Sequence, residues 1–320
     1  VESGGTYKGE VASETCEGFV SGGSFTVPVE SKYLSEGAAL SADGEGGYTV
    51  GTAATVATVT FGGRTYDYAS LADAFNAVPA TGEAVITLFG NIENDVLPVQ
   101  MDDEFMASLP DDPYAQMLSG GAYYYLIGAE QTITLDLNGH SIVYAGDQEK
   151  NANMVPFFLN FGKFTVTDSL GEGSVTNTEI NTGDLSAIFC NVGSTAELNV
   201  QAGTYDSFLN LLQLGGETQV SGATFRFGTE SRAAEAIDVL SFGGSLTVAD
   251  GSFQSVVLAL AGADIEINGG SFAGNAGAQY FGLTQLPGDY SMVVAVSEDF
   301  PETGSLTITD GEFLQALSAE

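Results

Sequence analysis

Basic residues are scarce in this chain: lysine and arginine total 7 against 42 aspartates and glutamates, for a formal net charge of −35. A chain with so few cations has little with which to neutralise phosphates, so the composition argues against nucleic acid and anionic lipid as partners. We interpret the excess of acid as a source of solubility. Binding of Ca²⁺ by some of these carboxylates is the alternative interpretation.

Cysteine, histidine and long apolar runs are also rare. The two cysteines do not form a disulfide framework. Cys190 in "AIFCNV" is predicted to be a small core residue, Cys16 in "SETCEGF" has more polar neighbours, and pairing between them is left open. The single histidine, His140, follows the turn signal Asn138-Gly139, so it is expected in a solvated turn and no zinc site is predicted. No apolar run approaches the roughly 20 residues of a membrane span, and no signal peptide is recognised.

Glycine, in contrast, is frequent, with 42 residues, and one short pattern recurs along the chain. Each copy follows an apolar run and a turn marked by glycine or polar residues. It then has an alternating strand, a second turn that often contains Asp-Gly or Gly-Gly, and a short strand that ends in an aromatic residue. Alternation places Leu246, Val248 and Phe253 on one side of their copy. Three short strands per copy, joined by turns, predict one coil of a parallel β-helix. The copies are "LNVQAGTY" (198–205), "TQVSGATF" (218–225), "LTVADGSF" (246–253), "IEINGGSF" (265–272) and "LTITDGEF" (306–313).

The spacing of the copies favours stacked coils over hairpins. Aligned Val and Ile residues fall at positions 200, 220, 248, 267 and 308, so the steps are 20, 28, 19 and 41 residues. A basic coil of about 20 residues with insertions is expected for a parallel solenoid. The step of 41 is either one coil with a long loop or two coils of which one is degenerate. Phe253 and Phe272 are expected at equivalent inward positions in neighbouring coils.

A short amphipathic helix is predicted at 70–78, within "YASLADAFNAVP". Ser70 is its N-cap, Pro79 stops it, and its apolar residues fall on one face. Such a helix closes the open end of a solenoid core. The predicted fold is therefore all-β: a right-handed parallel β-helix, or solenoid, with a short N-terminal capping helix. Three parts are expected: terminal coils and the end cap of a preceding β-helix unit (1–51), a strand pair and the capping helix (52–82), and the parallel β-helix with insertions at 98–130 and 275–290 (83–320).

The segments "YASLADAFNAVP", "AVITLFGNI", "TITLDLNGHSI", "FTVTDS" and "LTVADGSF" occur in an order that resembles the β-helical, adhesin-like repeat surface proteins of gut Firmicutes and Actinobacteria. The resemblance covers nearly the whole chain, and "GGSF", "KYLSEG" and "GGYTV" resemble the end of one repeat unit. It implies an extracellular, bacterial cell-surface location and a scaffold role. The chain departs from the pattern at residues 98–130, which are much longer than expected.

Catalysis has little support in the sequence. Polysaccharide lyases and glycoside hydrolases also use β-helices, so a secreted carbohydrate-active enzyme is the alternative function. The basic residues are scattered, and no pair of carboxylates is singled out as facing one cleft, as a hydrolase requires. No catalytic residue, cofactor or metal ligand is assigned, although Ca²⁺ at turns such as Asp250-Gly251 and Asp310-Gly311 is the open alternative to ordinary turn chemistry.

The insertion at 98–130 is the candidate binding segment, because loops on rigid scaffolds often carry function and exposed tyrosines suit sugar or protein recognition. The alternative is that its apolar residues pack on the outside of the rod. The predicted function is a non-catalytic extracellular scaffold, a stalk or adhesin segment of a bacterial surface protein. Its ends are expected to stack on further copies or repeat units of itself, either as tandem repeats of one long protein or as a head-to-tail fibre. A host glycan or protein is a further candidate partner. The candidate binding residues are Asp102, Asp103, Glu104, Asp111, Asp112, Tyr123, Tyr124 and Tyr125.

Overall fold

The computed structural model describes residues 5–93, 99–118, 121–144, 156–177, 187–228, 235–260, 262–277, 288–294 and 304–319. Within these ranges the chain is mostly β, and nearly all of its strands lie in two sheets of 18 and 8 strands. No helix in this part of the chain is long and apolar enough to span a membrane. The helical elements are α1 (Leu71–Asn76), α2 (Asp103–Ser108) and the 3₁₀ turns Ser31–Tyr33 and Ala115–Met117.

The larger part of the first sheet is parallel. Each passage of the chain through it forms two short strands or one long strand that bends at a turn. These strands are β7 (Gly82–Leu88), β8 (Ile92–Glu93), β12 (Gln131–Asp136), β13 (Ser141–Tyr144), β15 (Lys163–Thr167), β16 (Ser174–Asn177), β18 (Glu197–Val200), β19 (Thr204–Asp206), β21 (Glu217–Arg226), β23 (Ser245–Phe253), β25 (Asp264–Phe272) and β27 (Ser305–Phe313).

The second sheet is wholly parallel and takes one strand from each passage of the chain. Its strands alternate in sequence with those of the first sheet, so every passage contributes to both. They are β11 (Tyr125–Ile127), β14 (Phe158–Asn160), β17 (Ala187–Val192), β20 (Leu209–Leu214), β22 (Ile237–Phe242), β24 (Val256–Leu260), β26 (Tyr290–Val294) and β28 (Ala316–Ala319).

The strand register agrees with the alignment predicted from the sequence. Val200 pairs with Val220, Val220 with Val248, Val248 with Ile267, and Ile267 with Ile308. The 41-residue step is therefore one passage with a long loop, because β25 and β27 are direct neighbours. The aligned apolar residues form one continuous inward rank along the sheet.

An aromatic ladder runs beside this rank. Phe253 and Phe272 stack with ring centroids 4.7 Å apart, and Phe272 stacks on Phe313 at 4.9 Å, which confirms the predicted inward pair. Tyr205 and Phe225 extend the ladder toward earlier strands. Gly270, at φ 95°, has no room for a side chain, since a Cβ there would lie 2.9 Å from the carbonyl oxygen of Gly251. The repeated glycines thus permit the tight turn before each aromatic rung.

Apolar side chains are buried on both faces of the second sheet. Its inward residues, such as Phe189 and Val239, join the main core between the two sheets. Its outward residues, such as Cys190 and Leu240, form a second buried cluster. Strands that are buried on both faces read as continuous apolar runs, which explains segments such as "AIFCNV" and "VVLAL".

The N-terminal part of the first sheet is built differently. A parallel pair, β1 (Thr6–Tyr7) and β2 (Gly23–Phe25), is followed by antiparallel strands. The strand pair predicted within 52–82 is an antiparallel hairpin that turns at Gly62-Gly63, both with positive φ. The antiparallel strands are β3 (Ala38–Ala42), β4 (Tyr48–Thr52), β5 (Ala57–Phe61) and β6 (Arg64–Tyr68).

The predicted capping helix is present, although it is shorter than 70–78. The Ser70 hydroxyl oxygen accepts a hydrogen bond from the Asp73 backbone N–H at 3.1 Å, and the helix ends at Asn76. Leu71 is fully buried, and the Phe75 ring lies 4.8 Å from that of Tyr125 at the start of the second sheet. The helix therefore covers the beginning of the core, as expected from its amphipathic pattern.

Candidate binding site at the insertion

The first insertion has its own local structure. Strands β9 (Val99–Gln100) and β10 (Ala122–Tyr123) pair antiparallel and form its two arms. Between them, α2 begins at Asp102, whose carboxylate accepts a hydrogen bond from the Phe105 N–H at 2.8 Å. Acidic residues at a helix start offset the unpaired N–H groups and the positive end of the helix dipole, so this arrangement follows directly from the sequence "MDDEF".

The insertion packs on the outer face of the second sheet. Met101, Ala115 and Leu118 are buried in the outer cluster together with residues of that sheet. The Tyr114 side chain lies across two glycine turns, since a Cβ at Gly215 would meet its ring and a Cβ at Gly243 would meet its hydroxyl oxygen. The alternative interpretation, that the insertion packs on the outside of the scaffold, is therefore confirmed for these residues.

Asp112 fastens the insertion to a turn of the scaffold. Its carboxylate accepts hydrogen bonds from the N–H and hydroxyl of Ser194, at 2.9 and 2.5 Å, and from the N–H groups of Tyr114 and Ala115. Partial burial raises the pKa of this carboxyl, but the hydrogen bonds from Ser194 and the two other N–H groups outweigh it and leave the pKa below its ordinary value. Asp112 is thus engaged within the chain.

The other predicted acidic residues lie on the surface of the insertion. Asp102, Asp103 and Glu104 stand at the start of α2, while Asp111 lies in the turn after it, and all four are exposed. Four of the five carboxylates are therefore exposed to solvent, whereas Asp112 accepts hydrogen bonds from Ser194. In the described part of the chain, no group of three or more His, Cys, Asp or Glu side chains is arranged to hold a metal ion.

The three tyrosines differ in exposure, and the expectation that all are exposed is wrong for two of them. Tyr124 and Tyr125 are 7% and 2% exposed. Tyr125 stacks on Phe158 in the core, since β11 is a strand of the second sheet rather than part of a loop. Tyr123 is half-buried against Phe105, with ring centroids 5.3 Å apart, and burial together with nearby Asp102 raises its pKa.

A cavity of about 450 Å³ lies between α1 and strand β11. Phe75 and Asn76 come from the helix, whereas Tyr123, Tyr125 and Leu126 come from the insertion arm and β11. The cavity thus combines aromatic rings with amide groups.

Gln131 forms part of the cavity wall. Its side-chain oxygen accepts from the Gly128 N–H at 2.7 Å, and its amide donates to the Pro79 carbonyl at 2.9 Å. Gln131 therefore ties the turn after β11 to the segment that follows the capping helix, and both sides of the cavity are held in place.

A smaller cavity of about 180 Å³ lies on the other side of β11, against α2. Phe105, Leu109 and Phe161 line it, and Leu126 and Gly128 line both cavities. Neither cavity follows from the sequence pattern, in which Phe75 belongs to the apolar face of the predicted helix and Gln131 and Phe105 are not singled out. Only the approach of α1 and α2 to the same short strand makes them part of one site.

The structure also places the single histidine and the two cysteines. The His140 ring nitrogen Nδ1 lies 3.3 Å from the Asn91 side-chain oxygen, in a turn where Asn138 and Gly139 have positive φ, as predicted. Cys16 is exposed and Cys190 is buried, and both are free thiols, which decides against their pairing. Most of the second insertion, 275–290, lies outside the described residues.

The Asp-Gly turns use their carboxylates locally. Asp250 and Asp310 each accept a hydrogen bond from the N–H of the following glycine, at 2.8 Å in both turns. One carboxylate oxygen of each aspartate is therefore engaged within its own turn.

Several basic side chains are engaged in ion pairs. Lys163 lies 2.6 Å from Glu197, Arg226 lies 2.9 Å from Asp206, and Lys32 lies 3.0 Å from Glu30. Arg64 contacts both Glu10 and Glu30.

Comparison with known proteins finds no matching family model, no matching curated protein and no matching solved structure.

Proposed function

We propose that this chain is a non-catalytic extracellular scaffold, a stalk or adhesin segment of a bacterial surface protein, built as a right-handed parallel β-helix. The alternation of strands between the second sheet and the parallel part of the first sheet supports this architecture, since parallel crossover connections are right-handed in nearly all proteins. The described residues contain eight stacked passages, which at about 4.8 Å each would give a rod of roughly 40 Å. The resemblance to adhesin-like repeat proteins supports the location and the role.

The observation that carries the proposal is the pair of strands β27 and β28, each of which has a neighbouring strand on one edge only in the described residues. We call this pair the open rung. In the described residues β27 pairs only with β25, and Ile308 is 37% exposed although it continues a buried rank. Strand β28 pairs only with β26, and Leu317 is 42% exposed. An exposed apolar rung with unpaired backbone groups favours the addition of another rung.

The pair β1–β2 has the geometry that such a rung requires. Tyr7 stacks on Phe25 at 5.0 Å with parallel register, as Phe272 stacks on Phe313. In the described residues β1 pairs only with β2, so its other edge is open. We therefore propose end-to-end contact in which β27 of one copy or unit adds to β1 of another. A contact of this head-to-tail kind extends as a filament.

The ion pairs also support a role without catalysis. A lyase on this scaffold would need a basic residue free to abstract a proton, whereas Lys163 and Arg226 contact carboxylates. Ordinary hydrogen-bonding roles account for His140 and the Asp-Gly turns.

Sedimentation velocity over a concentration series, with electron microscopy of the largest species, tests the assembly. We expect mass to rise with concentration, and Ile308→Lys to abolish the rise because it places a charge on the open rung. Val85→Lys, an exposed position on the outer face of β7, is the matched control and should assemble normally. A parent protein that stays monomeric at its solubility limit contradicts the filament, and turnover of an acidic polysaccharide contradicts the non-catalytic role.

A further inference from the structure

Strand β11 has one paired edge and one open edge. The Tyr125 N–H donates to the Phe157 carbonyl at 2.8 Å, and the Phe161 N–H donates to the Ile127 carbonyl at 2.9 Å, so these residues face β14. Backbone groups alternate in direction along a strand, which turns the N–H and C=O of Leu126 to the opposite edge. Among the described residues no strand pairs with that edge, where the second sheet begins.

The two cavities lie on either side of this open edge. The larger cavity is lined by Phe75 and Tyr125, which belong to the core between the sheets. The smaller cavity is lined by Phe161, which belongs to the outer cluster, and by Phe105, which packs against that cluster. Leu126 lines both. Successive side chains of a strand point to opposite faces of a sheet. A strand added at Leu126 would therefore direct one side chain into each cavity.

We propose that this edge binds an extended peptide segment of a partner protein by strand addition. The Leu126 N–H and C=O supply the backbone hydrogen bonds, the cavity of about 450 Å³ accepts an aromatic side chain, and the cavity of about 180 Å³ accepts an aliphatic one. Main-chain pairing with pockets for alternate side chains is a recurring mode of peptide recognition. This site is independent of the scaffold role and of end-to-end assembly.

The charge around the groove defines the partner further. Glu130 is exposed between Gly128 and Gln131, and the exposed Asp103 and Glu104 stand on α2 beside Phe105. Among the residues that the structure describes, none that lines either cavity is basic. In a chain with a net charge of −35, these carboxylates favour a segment whose apolar pair is flanked by lysine or arginine.

The test uses the synthetic peptide Lys-Lys-Thr-Phe-Leu-Thr-Lys-Lys and a matched peptide that is N-methylated at Phe and Leu. We expect the first to bind the full chain with an affinity that falls as salt rises, because surface charges are screened. The N-methylated peptide should bind at least about tenfold more weakly, since it lacks the N–H groups that strand addition needs. Amide hydrogen exchange at Leu126 should slow when the first peptide is bound.

Two variants fill the cavities from exposed positions: Ala80→Phe in the larger and Ala129→Phe in the smaller. Each should weaken peptide binding by about tenfold or more without lowering the melting temperature. Ala249→Phe, an exposed position on β23, is the matched control and should bind as the parent does.

Four results overturn the proposal. They are equal binding of the two peptides, unchanged exchange at Leu126, no binding up to about 1 mM peptide, and glycan binding that the cavity variants abolish while peptide binding is absent. The last result assigns the groove to sugars. Because the peptide assay needs only the folded monomer, failure of the filament test leaves it interpretable.

Discussion

Strands β25 and β27 are neighbours with nearly the same sequence pattern, yet their residues differ in burial. Ile267 and Phe272 in β25 are fully buried, whereas Ile308 in β27 is 37% exposed and Phe313 is half-buried. The sequences "DIEINGGSF" and "SLTITDGEF" do not explain this difference; the number of covering neighbours does. The residues of one strand are thus buried only where a further strand stacks on them, so the stability of the stack depends on nearest-neighbour contacts.

The two ends of the stack show the same point. At the beginning, α1 places Leu71 and Phe75 against the first strands and buries them. At the other end, Leu314 is 62% exposed and no helix covers β27 within the described residues. A covered end removes apolar surface from water, while an open end leaves that surface available for a partner.

The largest expected effect comes from the ladder interior. Phe253→Ala should lower the free energy of unfolding by about 3–5 kcal/mol, because it removes a buried ring between Phe225 and Phe272. Phe313→Ala is the same change at the open rung and should cost less than half as much. Chemical denaturation of both variants measures the difference. Equal losses would show that the open rung is covered in solution.

A buried carboxyl provides the second test. Asp238 is fully buried in β22, and burial raises its pKa to about 7 although hydrogen bonds from Ser255, Asn210 and Gln254 act in the opposite direction. Because the folded-state pKa lies above the ordinary value, the folded state holds a proton that the unfolded state has released. The contribution of this group to the free energy of unfolding is therefore greatest below about pH 4. It falls as pH rises to about 7, by a total on the order of 4 kcal/mol.

Denaturation at a series of pH values measures this effect. Asp238→Asn should flatten the decline between about pH 4 and pH 7 relative to the parent. Asp310→Asn, an exposed carboxylate at the open rung, is the control for removal of one surface charge. An unchanged slope in Asp238→Asn would assign the pH dependence to repulsion among surface carboxylates instead.

The smallest expected effect is at the covered end. Ser70→Ala removes the hydroxyl that accepts from the Asp73 N–H and should lower stability by about 1 kcal/mol. Thermal unfolding measures the loss, and Ser70→Asp should restore it because aspartate also caps helices. If Ser70→Ala has no effect, packing of Phe75 alone holds α1 in place.

Much of the strand register could be predicted from the sequence. Val248, Ile267 and Ile308 were aligned correctly because a stacked passage repeats its inward residues at each turn, and this repetition is visible in the letters. The N-cap at Ser70 was also predictable, since capping depends on residues within one helical turn. Local signals of this kind need no knowledge of distant contacts.

The candidate site was less predictable. "AYYYLIG" has the tyrosine content of a recognition loop, but Tyr125 pairs with Phe158 as a core strand. Asp112 reads as one more acidic residue until Ser194, 82 positions away, is brought to it. Both errors have one cause: the partners come from other passages of the chain, and no spacing rule within a segment identifies them.

The sequence by itself determined the repeating inward rank, the aromatic ladder and the capping helix, because each depends on alternation or on a turn within a few residues. The tertiary structure decided which face the insertion covers, that Tyr124 and Tyr125 are buried, and that two cavities meet at Leu126. These features require α1, α2 and β11 to converge from separate segments. Their positions depend on packing among distant residues, which a local pattern does not encode.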